Sequence, residues 1–264
     1  MQHISRLIFQ INAQLNDALQ NQKIFLATVS HEIRTPLNGI LGFLKLLSTT
    51  QLNDEQKKFV NNSMISARQL LLLINDILDT SKIQAGELKI DEEEFDFNEA
   101  INEVIVSLSS KLHKNVKLKL VLPDLQYTVI GDKKRIKQIF YNILSNAYKF
   151  TLQGTVEIGA KSVEEHQDGT ITMLFYVKDS GIGIPEDKQN ILFTPFMQVR
   201  TELHKKTGGT GLGLYISRKL ASLMGGDIWF ESNEGKGTTF YIQFHLKKGS
   251  PKAQKSEGTS RSPA

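Results

Sequence analysis

The chain has 264 residues, of which 40% are hydrophobic and 23% charged, a balance that is ordinary for a soluble globular protein and allows two domains. It contains no cysteine, which excludes disulfides, thiolate catalysis and cysteine-type zinc sites. No apolar run reaches the length of a membrane span, and no signal peptide opens the chain. We therefore expect a cytoplasmic protein, or a soluble piece of a longer and membrane-anchored one.

The formal net charge of +4 raises the question of nucleic-acid binding. From Lys247 onward there are five basic residues and one acid, Glu257, while the remaining charges balance. The excess thus falls at a Ser/Gly/Pro/Lys-rich end, and we interpret residues 249–264 as a disordered tail or a linker. Because the rest is neutral, the sequence predicts no nucleic-acid partner.

Residues from about 4 to 49 are predicted to form one long helix. Apolar residues at spacings of three and four predict a coiled-coil signalling helix over residues 1–22 that continues into the next segment. The seam consists of Ile4, Ile8, Ile11, Leu15, Ala18, Gln22, Phe25 and Val29. Pro36 has no N–H for the carbonyl of Glu32, so we expect the helix to bend or loosen there.

His31 lies on this helix and points away from the seam, on an exposed stripe that it shares with Thr35. One interpretation is an ordinary solvated histidine. The other is a nucleophile, since an imidazole is largely neutral at pH 7 and Glu32 can hold the proton of its other nitrogen. The helix by itself does not decide between them.

A second helix is predicted from an N-cap at Asn53 or Asp54 to about Gln84, ended by Gly86. Its predicted apolar face contains Phe59, Ala67, Leu70, Ile74, Ile77 and Ser81. Two antiparallel helices with wide apolar faces predict a homodimeric four-helix bundle or, alternatively, an intramolecular coiled coil. We assign residues 23–90 to this hairpin domain and the acidic residues 91–94 to a linker.

Residues 95–248 mix helices and strands without a regular βαβ period, which favours an α/β sandwich over a doubly wound sheet. The fold class is therefore α+β multidomain, an all-α hairpin followed by this sandwich. Helices are predicted at about 97–112, 132–150 and 211–224. Strands are predicted at about 116–122, 126–131, 154–162, 170–178, 227–232 and 238–246.

Polar groups in the second domain suit a nucleotide. Asn142, Asn146 and Lys149 follow one another at spacings of four and three on one helix face, which suits Mg²⁺ and phosphates unless it is only a solvated face. Asp179 ends an apolar strand and precedes the glycine-containing turn 180–185. A carboxylate there can accept a hydrogen bond from a purine amino group, although an ordinary turn would also account for it.

A glycine-rich stretch at 208–214 opens the helix at 211–224. Free N–H groups at such a helix start can bind an anion. Apolar residues at 193–197, followed by the polar stretch 200–207, predict a mobile lid before it.

In this order the motifs resemble those of two-component sensor histidine kinases, including hybrid kinases. The matching segments are the phospho-acceptor box HEIRTPL at His31, the asparagine box at 138–151, the glycine boxes at 179–185 and 208–214, and the phenylalanine box at 193–196. The resemblance covers residues from about 20 to 246. It implies a dimerisation and phosphotransfer hairpin, followed by a catalytic ATP-binding sandwich of the type shared with gyrase B and MutL.

The resemblance also implies roles for individual residues. His31 would be phosphorylated, Glu32 would activate it, and Thr35 would orient the water that dephosphorylates a partner. Asn142 would hold Mg²⁺, and Tyr148 stands where the family more often has an aliphatic residue. The implied ATP-binding set is Asn142, Asn146, Tyr148, Lys149, Asp179, Gly181, Gly183, Phe193, Phe196, Gly209, Thr210, Gly211, Leu212 and Gly213.

We therefore expect a homodimeric, ATP- and Mg²⁺-dependent autokinase that passes its phosphoryl group to an aspartate of a response-regulator receiver domain, with phosphatase activity toward that receiver as a further expectation. A regulatory module without catalysis would be expected to lack His31, Glu32, Asn142 or Asp179, and all are present. An ATPase or chaperone of the same superfamily would not need the histidine hairpin.

Overall fold

The computed structural model describes residues 2–109, 113–198 and 209–252. The chain divides into two compact units, Met1–Leu88 and Lys89–Ala264. Within the described residues, none of the helices combines the length and the apolarity that a membrane crossing requires.

The first unit is a hairpin of helices α1 (Gln2–Leu47) and α2 (Asp54–Gln84). Asn53, one of the two expected N-caps, accepts from the backbone N–H of Gln56 at 2.8 Å, and the Gln56 side chain accepts from the Asn53 N–H at 3.0 Å. This capping box satisfies two donors that the helix start leaves unpaired. At the other end Gly86 adopts φ +68°, and its N–H donates to Ile83, as expected for a glycine-terminated helix.

Helix α1 continues through Pro36 without interruption, so the expected weak point does not break the helix. Leu37, directly after the proline, is buried at 6% exposure, and Ser30 is buried at 3%. Packing on both sides of the proline thus holds the segment in place although one backbone hydrogen bond is lost. The side chains of the coiled-coil seam before Phe25 lie outside the described residues.

The hairpin buries only a narrow seam. On α2 the buried apolar residues are Val60, Ala67 and Ile74, one heptad apart. Leu70 is 44% exposed, Leu73 is 37% exposed, and Phe59 is 61% exposed. The hairpin therefore buries only part of the apolar face expected from the sequence. Phe59, Leu70 and Leu73 form a second apolar stripe beside the seam, which we call the open stripe because it is exposed.

The second unit is a seven-stranded sheet with the order β1-β3-β7-β5-β4-β2, and β6 also pairs with the long β7. Pairing is antiparallel except between β2 and β4. The strands are β1 (Glu93–Phe95), β2 (Val116–Val121), β3 (Tyr127–Gly131), β4 (Gly154–Glu165), β5 (Thr170–Asp179), β6 (Asp227–Asn233) and β7 (Gly237–Pro251). The helices are α3 (Phe97–Leu108), α4 (Lys133–Phe150), the short α5 (Glu186–Gln189) and α6 (Gly213–Leu223).

Four fully buried phenylalanines form the centre of this unit, between α3, α4 and the sheet. The rings of Phe97 and Phe175 stack with centroids 4.5 Å apart, and Phe140 meets Phe175 edge-on at 5.7 Å. Phe244 of β7 lies 6.1 Å from Phe140. Such offset and edge-to-face pairs add to the free energy gained by burying the rings. The cluster fixes α4 against the sheet.

Two expected boundaries were wrong. Residues 91–94 are not simply a linker, because Glu93 and Glu94 lie in β1, paired with β3. Glu94 accepts from the Thr128 hydroxyl and from the N–H of Ser250, and these hydrogen bonds lower its pKa. An acidic run can form an edge strand because the neighbouring strands supply donors and cations.

The tail likewise begins later than expected, since β7 reaches Pro251. Lys247, Lys248 and Lys252 pair with Glu92, Glu165 and Asp96 at 2.6 to 2.7 Å. Three of the five basic residues at this end of the chain are thus neutralised within the fold. Residues 253–264 lie outside the described residues.

The phenylalanine cluster predicts the effect of one truncation. We expect Phe175→Ala to destabilise the second unit by about 3–5 kcal/mol, because it removes a fully buried ring and leaves a cavity. Trp229 is the only tryptophan of the chain and lies in β6, so its fluorescence during denaturant unfolding reports on this unit. Leu152→Ala, at a 52% exposed position, is the control and should change stability by less than about 0.5 kcal/mol. Equal effects of the two variants would contradict the packing of the cluster.

Candidate phospho-acceptor and nucleotide-binding sites

His31 is freely accessible on α1. Its side chain is 78% exposed, and that of Glu32 is 76% exposed. The Nδ1 atom of His31 lies 4.0 Å from Oε1 of Glu32, near enough for electrostatic contact but too far for a hydrogen bond. The Thr35 hydroxyl, one turn later, donates to the His31 carbonyl at 3.2 Å. The structure thus places the three expected residues of this motif on one exposed patch.

The polar row of the second unit lies on α4. Asp132 caps this helix by accepting from the Arg135 N–H at 2.9 Å. The opposite, apolar face is fully buried, which fixes the rotation of the helix and directs the polar row away from the core. Asn142, Asn146 and Lys149, on the polar face of α4, are all half-buried. They are therefore neither core residues nor a fully solvated surface.

The side chain of Asn142 bridges α4 and α6. Its Nδ2 atom donates to the Gly213 carbonyl and to the Ser217 hydroxyl, both at 3.2 Å. Because the Gly213 carbonyl can only accept, the amide nitrogen must face α6, and Oδ1 is the atom that can face a cation. Ser217 was not predicted from the sequence, although its position one turn after Gly213 was a usable signal.

The side-chain oxygen of Asn142 fits a magnesium ion that arrives with a nucleotide. Among the described residues, no group of three or more His, Cys, Asp or Glu side chains is placed to hold a metal by itself. Mg²⁺ typically keeps several waters and takes only one or two protein oxygens besides substrate phosphates. The Asn142 oxygen can supply such a ligand.

Lys149 follows Asn146 in the row, near the end of α4. Partial burial lowers the pKa of its ammonium group. Its Nζ atom lies 4.8 Å from the centroid of the Phe150 ring. A cation that is partly stripped of water attracts an anion more strongly than a fully solvated one, because screening is weaker. Lys149 is therefore suited to a phosphate group.

Asp179 ends β5 as a buried carboxylate with 7% exposure. Its Oδ1 atom accepts from the N–H of Gly181 at 2.9 Å and from that of Thr238 at 3.2 Å. Burial raises the pKa of the carboxyl group, although these two hydrogen bonds oppose the shift. Since Oδ1 takes both backbone donors, Oδ2 can accept from a ligand. Thr238 was not predicted from the sequence, because the strand that carries it is distant along the chain.

The glycines beside Asp179 are required by close packing. A Cβ atom on Gly181 would lie 2.5 Å from the Phe150 carbonyl, and one on Gly183 would lie 2.1 Å from the Asn233 carbonyl. Gly183 also adopts φ +67°, which side chains disfavour. The Ile182 N–H donates to Phe150 at 3.3 Å, so the turn after Asp179 is attached to the end of α4. The helix that carries the asparagine row and the turn that follows the buried carboxylate are therefore directly connected.

The phenylalanine box and the second glycine box are also in contact. The Phe196 N–H donates to the Gly211 carbonyl at 3.1 Å, and the Gln198 amide donates to the Gly209 carbonyl at 2.9 Å. Phe193 packs on Phe230, with ring centroids 5.9 Å apart. The expected lid at 200–207 and Gly208 lie outside the described residues.

Two expected ATP-binding side chains are instead buried. Tyr148 is 2% exposed and lies in the core, and burial raises its pKa. Its position in the motif is next to Lys149, but the helix turns its side chain toward the apolar face. Leu212 is 1% exposed, and its N–H donates to the Thr210 hydroxyl at 3.1 Å. Any contact of Leu212 with a ligand would have to come from its backbone.

Two family models match the chain. Residues 21–86 match the His Kinase A (phospho-acceptor) domain. Residues 131–248 match the Histidine kinase-, DNA gyrase B-, and HSP90-like ATPase. The first match contains His31, and the second contains α4, Asp179 and both glycine boxes.

The chain is similar to named sensor kinases over most of its length. It is 40% identical over 244 residues to the sensor histidine kinase GacS of Pseudomonas protegens, covering 90% of this chain and 26% of that protein. It is 44% identical over 220 residues to hybrid signal transduction histidine kinase B of Dictyostelium discoideum, covering 82% of this chain and 11% of that protein. It thus spans about a quarter or less of these relatives.

A solved structure shows the same relationship. Full-length ShkA, crystallised in complex with AMPPNP, aligns with a TM-score of 0.66 and 31% sequence identity, covering 85% of this chain and 46% of that one. The phospho-acceptor match includes the exposed His31, and the ATPase match includes the asparagine row and the buried carboxylate. The relatives are named as histidine kinases. The chain therefore belongs to the sensor histidine kinases of two-component signalling and carries their catalytic core.

Proposed function

We propose that this chain transfers the γ-phosphoryl group of ATP to His31 and passes it on to an aspartate of a response-regulator receiver domain. The observation that carries the proposal is the presence, in one chain, of an exposed imidazole beside a carboxylate and a nucleotide-type site built around Asn142 and Asp179. An exposed histidine alone could be a solvated surface residue, and a nucleotide site alone could serve an ATPase. Together they supply both the acceptor and the donor of a phosphoryl transfer.

The geometry at His31 suggests which nitrogen reacts. Glu32 approaches Nδ1, so its carboxylate can accept or hold the proton of that nitrogen. The lone pair of Nε2 is then available to attack the γ-phosphorus in line, as the bond from that phosphorus to the bridging oxygen breaks and ADP leaves. The product would be a phosphohistidine, whose phosphoryl group can move to an aspartate oxygen.

In the second unit, Asp179 would accept a hydrogen bond from the adenine amino group, in a pocket shaped by Gly181 and Gly183. Asn146 and Lys149 would contact the phosphates, with the glycine box at 209–213 presenting backbone N–H groups to them. Mg²⁺, held by Oδ1 of Asn142, would neutralise charge that develops on the phosphate oxygens.

Thr35 supports a second activity. Its hydroxyl lies one turn from His31 on the same exposed face and donates to a helix carbonyl. Released from that bond, it could orient a water toward a phosphorylated aspartate on a receiver domain. We therefore include phosphatase activity toward the receiver in the proposal.

The open stripe of the hairpin supports a homodimer. Phe59, Leu70 and Leu73 lie within about 60° of each other around α2, beside the buried seam. Large side chains on one stripe are stabilised when another apolar surface covers them. A second copy of the hairpin would bury the stripe in a four-helix bundle.

Autophosphorylation is tested with His31→Gln. We expect the unmutated chain, incubated with γ-labelled ATP and Mg²⁺, to acquire label that is acid-labile and base-stable, and His31→Gln to acquire none. His166→Gln, at an exposed histidine of the other unit, is the matched control and should label normally. ATP binding or hydrolysis without labelling of the unmutated protein would reject the proposal.

Asp179→Asn separates ligand recognition from stability. The asparagine keeps one acceptor oxygen for Gly181 and Thr238 but turns an N–H toward the adenine amino group, so we expect ATP affinity to fall about 10- to 100-fold. Isothermal titration with a non-hydrolysable ATP analogue measures this loss. Unchanged affinity would mean that Asp179 does not contact the adenine.

The same variant should be at least as stable as the original at neutral pH. Because the folded-state pKa of Asp179 is raised, its contribution to stability is greatest at low pH and is lost as pH rises through that pKa. The variant lacks this loss, so the difference in Tm between the two proteins should grow with pH and vanish in acid. A difference independent of pH would contradict the buried position of the carboxylate.

Leu70→Asp tests the homodimer. A charge on the open stripe should convert a dimer to monomers without unfolding the hairpin, because Leu70 is outside the buried seam. Light scattering gives the mass, and circular dichroism confirms the helices. Arg68→Asp, exposed on the other side of the seam, should stay dimeric. Identical masses for Leu70→Asp and the unmutated chain would count against this interface.

A further inference from the structure

Arg218 joins three elements of the ATP-binding unit. It lies in the second turn of α6, and its Nε and Nη2 atoms donate to Oδ1 and Oδ2 of Asp227 in β6 at 3.0 and 3.3 Å. Its guanidinium carbon also lies 4.8 Å from the centroid of the Phe193 ring. One side chain thus links a helix that starts at the glycine box, the first residue of a strand, and the phenylalanine box.

This arrangement is poorly suited to stabilising the fold. The side chains of Arg218 and Asp227 are 46% and 48% exposed, so water screens their attraction. The geometry is nevertheless well defined, because a planar guanidinium can bind a carboxylate with two hydrogen bonds and stack on a ring at the same time. The contact therefore contributes more to the orientation of Phe193 than to stability.

The orientation of Phe193 affects the glycine box. Phe193 begins the turn at 193–198, whose far end is attached to that box through Phe196 to Gly211 and Gln198 to Gly209. Phe196 adopts φ +63°, a conformation that is unfavourable for a non-glycine residue and needs support from its surroundings. The turn is thus held at its base by Arg218 and by Phe230, on which Phe193 packs, and at its end by the glycine box.

We propose that Arg218 is a positioning residue for the triphosphate. Through Phe193 it fixes the turn at 193–198, and through that turn it fixes the backbone peptide groups at Gly209 and Gly211. The proposal rests on the proposed function, because it assumes that these groups face the phosphates of ATP. It does not involve Asp179, which accepts from Gly181 and Thr238 and shares neither partner with Arg218.

Arg218→Ala should therefore weaken binding of the phosphates and leave the adenine end intact. We expect the Kd of AMP-PNP with Mg²⁺ to rise about 3- to 10-fold, as loss of one exposed cation–π contact and its orienting effect implies. The Kd of AMP, which lacks the β- and γ-phosphates, should change by less than about twofold. In labelling assays the KM for ATP should rise with kcat nearly unchanged. Lys219→Ala, the neighbouring exposed cation on α6, is the control and should match the unmutated protein.

Three further variants identify the route. Arg218→Lys keeps the positive charge, but a lysine cannot bind the Asp227 carboxylate and stack on the Phe193 ring at once. Its Kd for AMP-PNP should therefore lie between those of the unmutated protein and Arg218→Ala. Phe193→Leu should raise the Kd of AMP-PNP, and Arg218→Ala should add little in that background, because both act through the same contact. Asp227→Asn, which leaves Arg218 over the ring, should have a smaller effect than Arg218→Ala.

Each result separates one possibility from the others. If Arg218→Ala binds AMP-PNP with unchanged Kd, Arg218 has no positioning role and the inference is overturned. The same conclusion follows if the Kd values of AMP and AMP-PNP rise equally while the Tm of the variant falls. Additive effects with Phe193→Leu overturn the route through the ring. Failure of the proposed function is seen without any of these variants, as absence of AMP-PNP binding or of His31 labelling in the unmutated protein.

Discussion

The amide of Asn142 donates two hydrogen bonds to α6 and so joins the helix of the asparagine row to the helix that follows the glycine box. A carbonyl acceptor at Gly213 leaves no alternative orientation for the amide, which directs its oxygen outward. This arrangement depends on the phenylalanine cluster, which fixes α4 on the sheet. The ligand atom is thus set by core packing.

The buried carboxylate of Asp179 depends on a different constraint. Asp179 is buried at the end of β5 and is stabilised by backbone N–H groups from its own turn and from the start of β7. A carboxylate in such a place lowers the stability of the free protein at neutral pH, and two hydrogen bonds offset only part of that effect. A residue held in a destabilising environment is expected where a ligand supplies the missing partner.

The two units differ in how completely they bury their apolar side chains. The sandwich has a closed core of aromatic rings, whereas the hairpin buries one heptad seam and leaves large apolar side chains exposed. Its exposed histidine therefore lies on an element whose remaining surface needs another partner. The proposed phosphoryl acceptor and the proposed dimer surface lie on the same two helices, so the proposal ties the oligomeric state to the function of this unit.

Local signals were sufficient for much of the chain. Asn53 and Gly86 act at the two ends of α2 through neighbours within a turn or so, and the ordered motifs around His31 and Asp179 identified the family from side chains alone. The strand at Glu93 and Glu94 and the extension of β7 to Pro251 were missed, since an acidic or lysine-rich strand is stabilised by partners that are distant in sequence.

The sequence by itself determined the order of the helices and strands apart from β1 and the short α5, the apolar faces, and the chemistry available at His31, Asn142 and Asp179. Only the tertiary structure decided which atoms of those residues are available, that Tyr148 belongs to the core, and that Arg218 meets both Asp227 and Phe193. The reason is physical. Periodicity sets the face of an element on which a residue lies, but hydrogen-bond partners and burial depend on elements that only folding brings together.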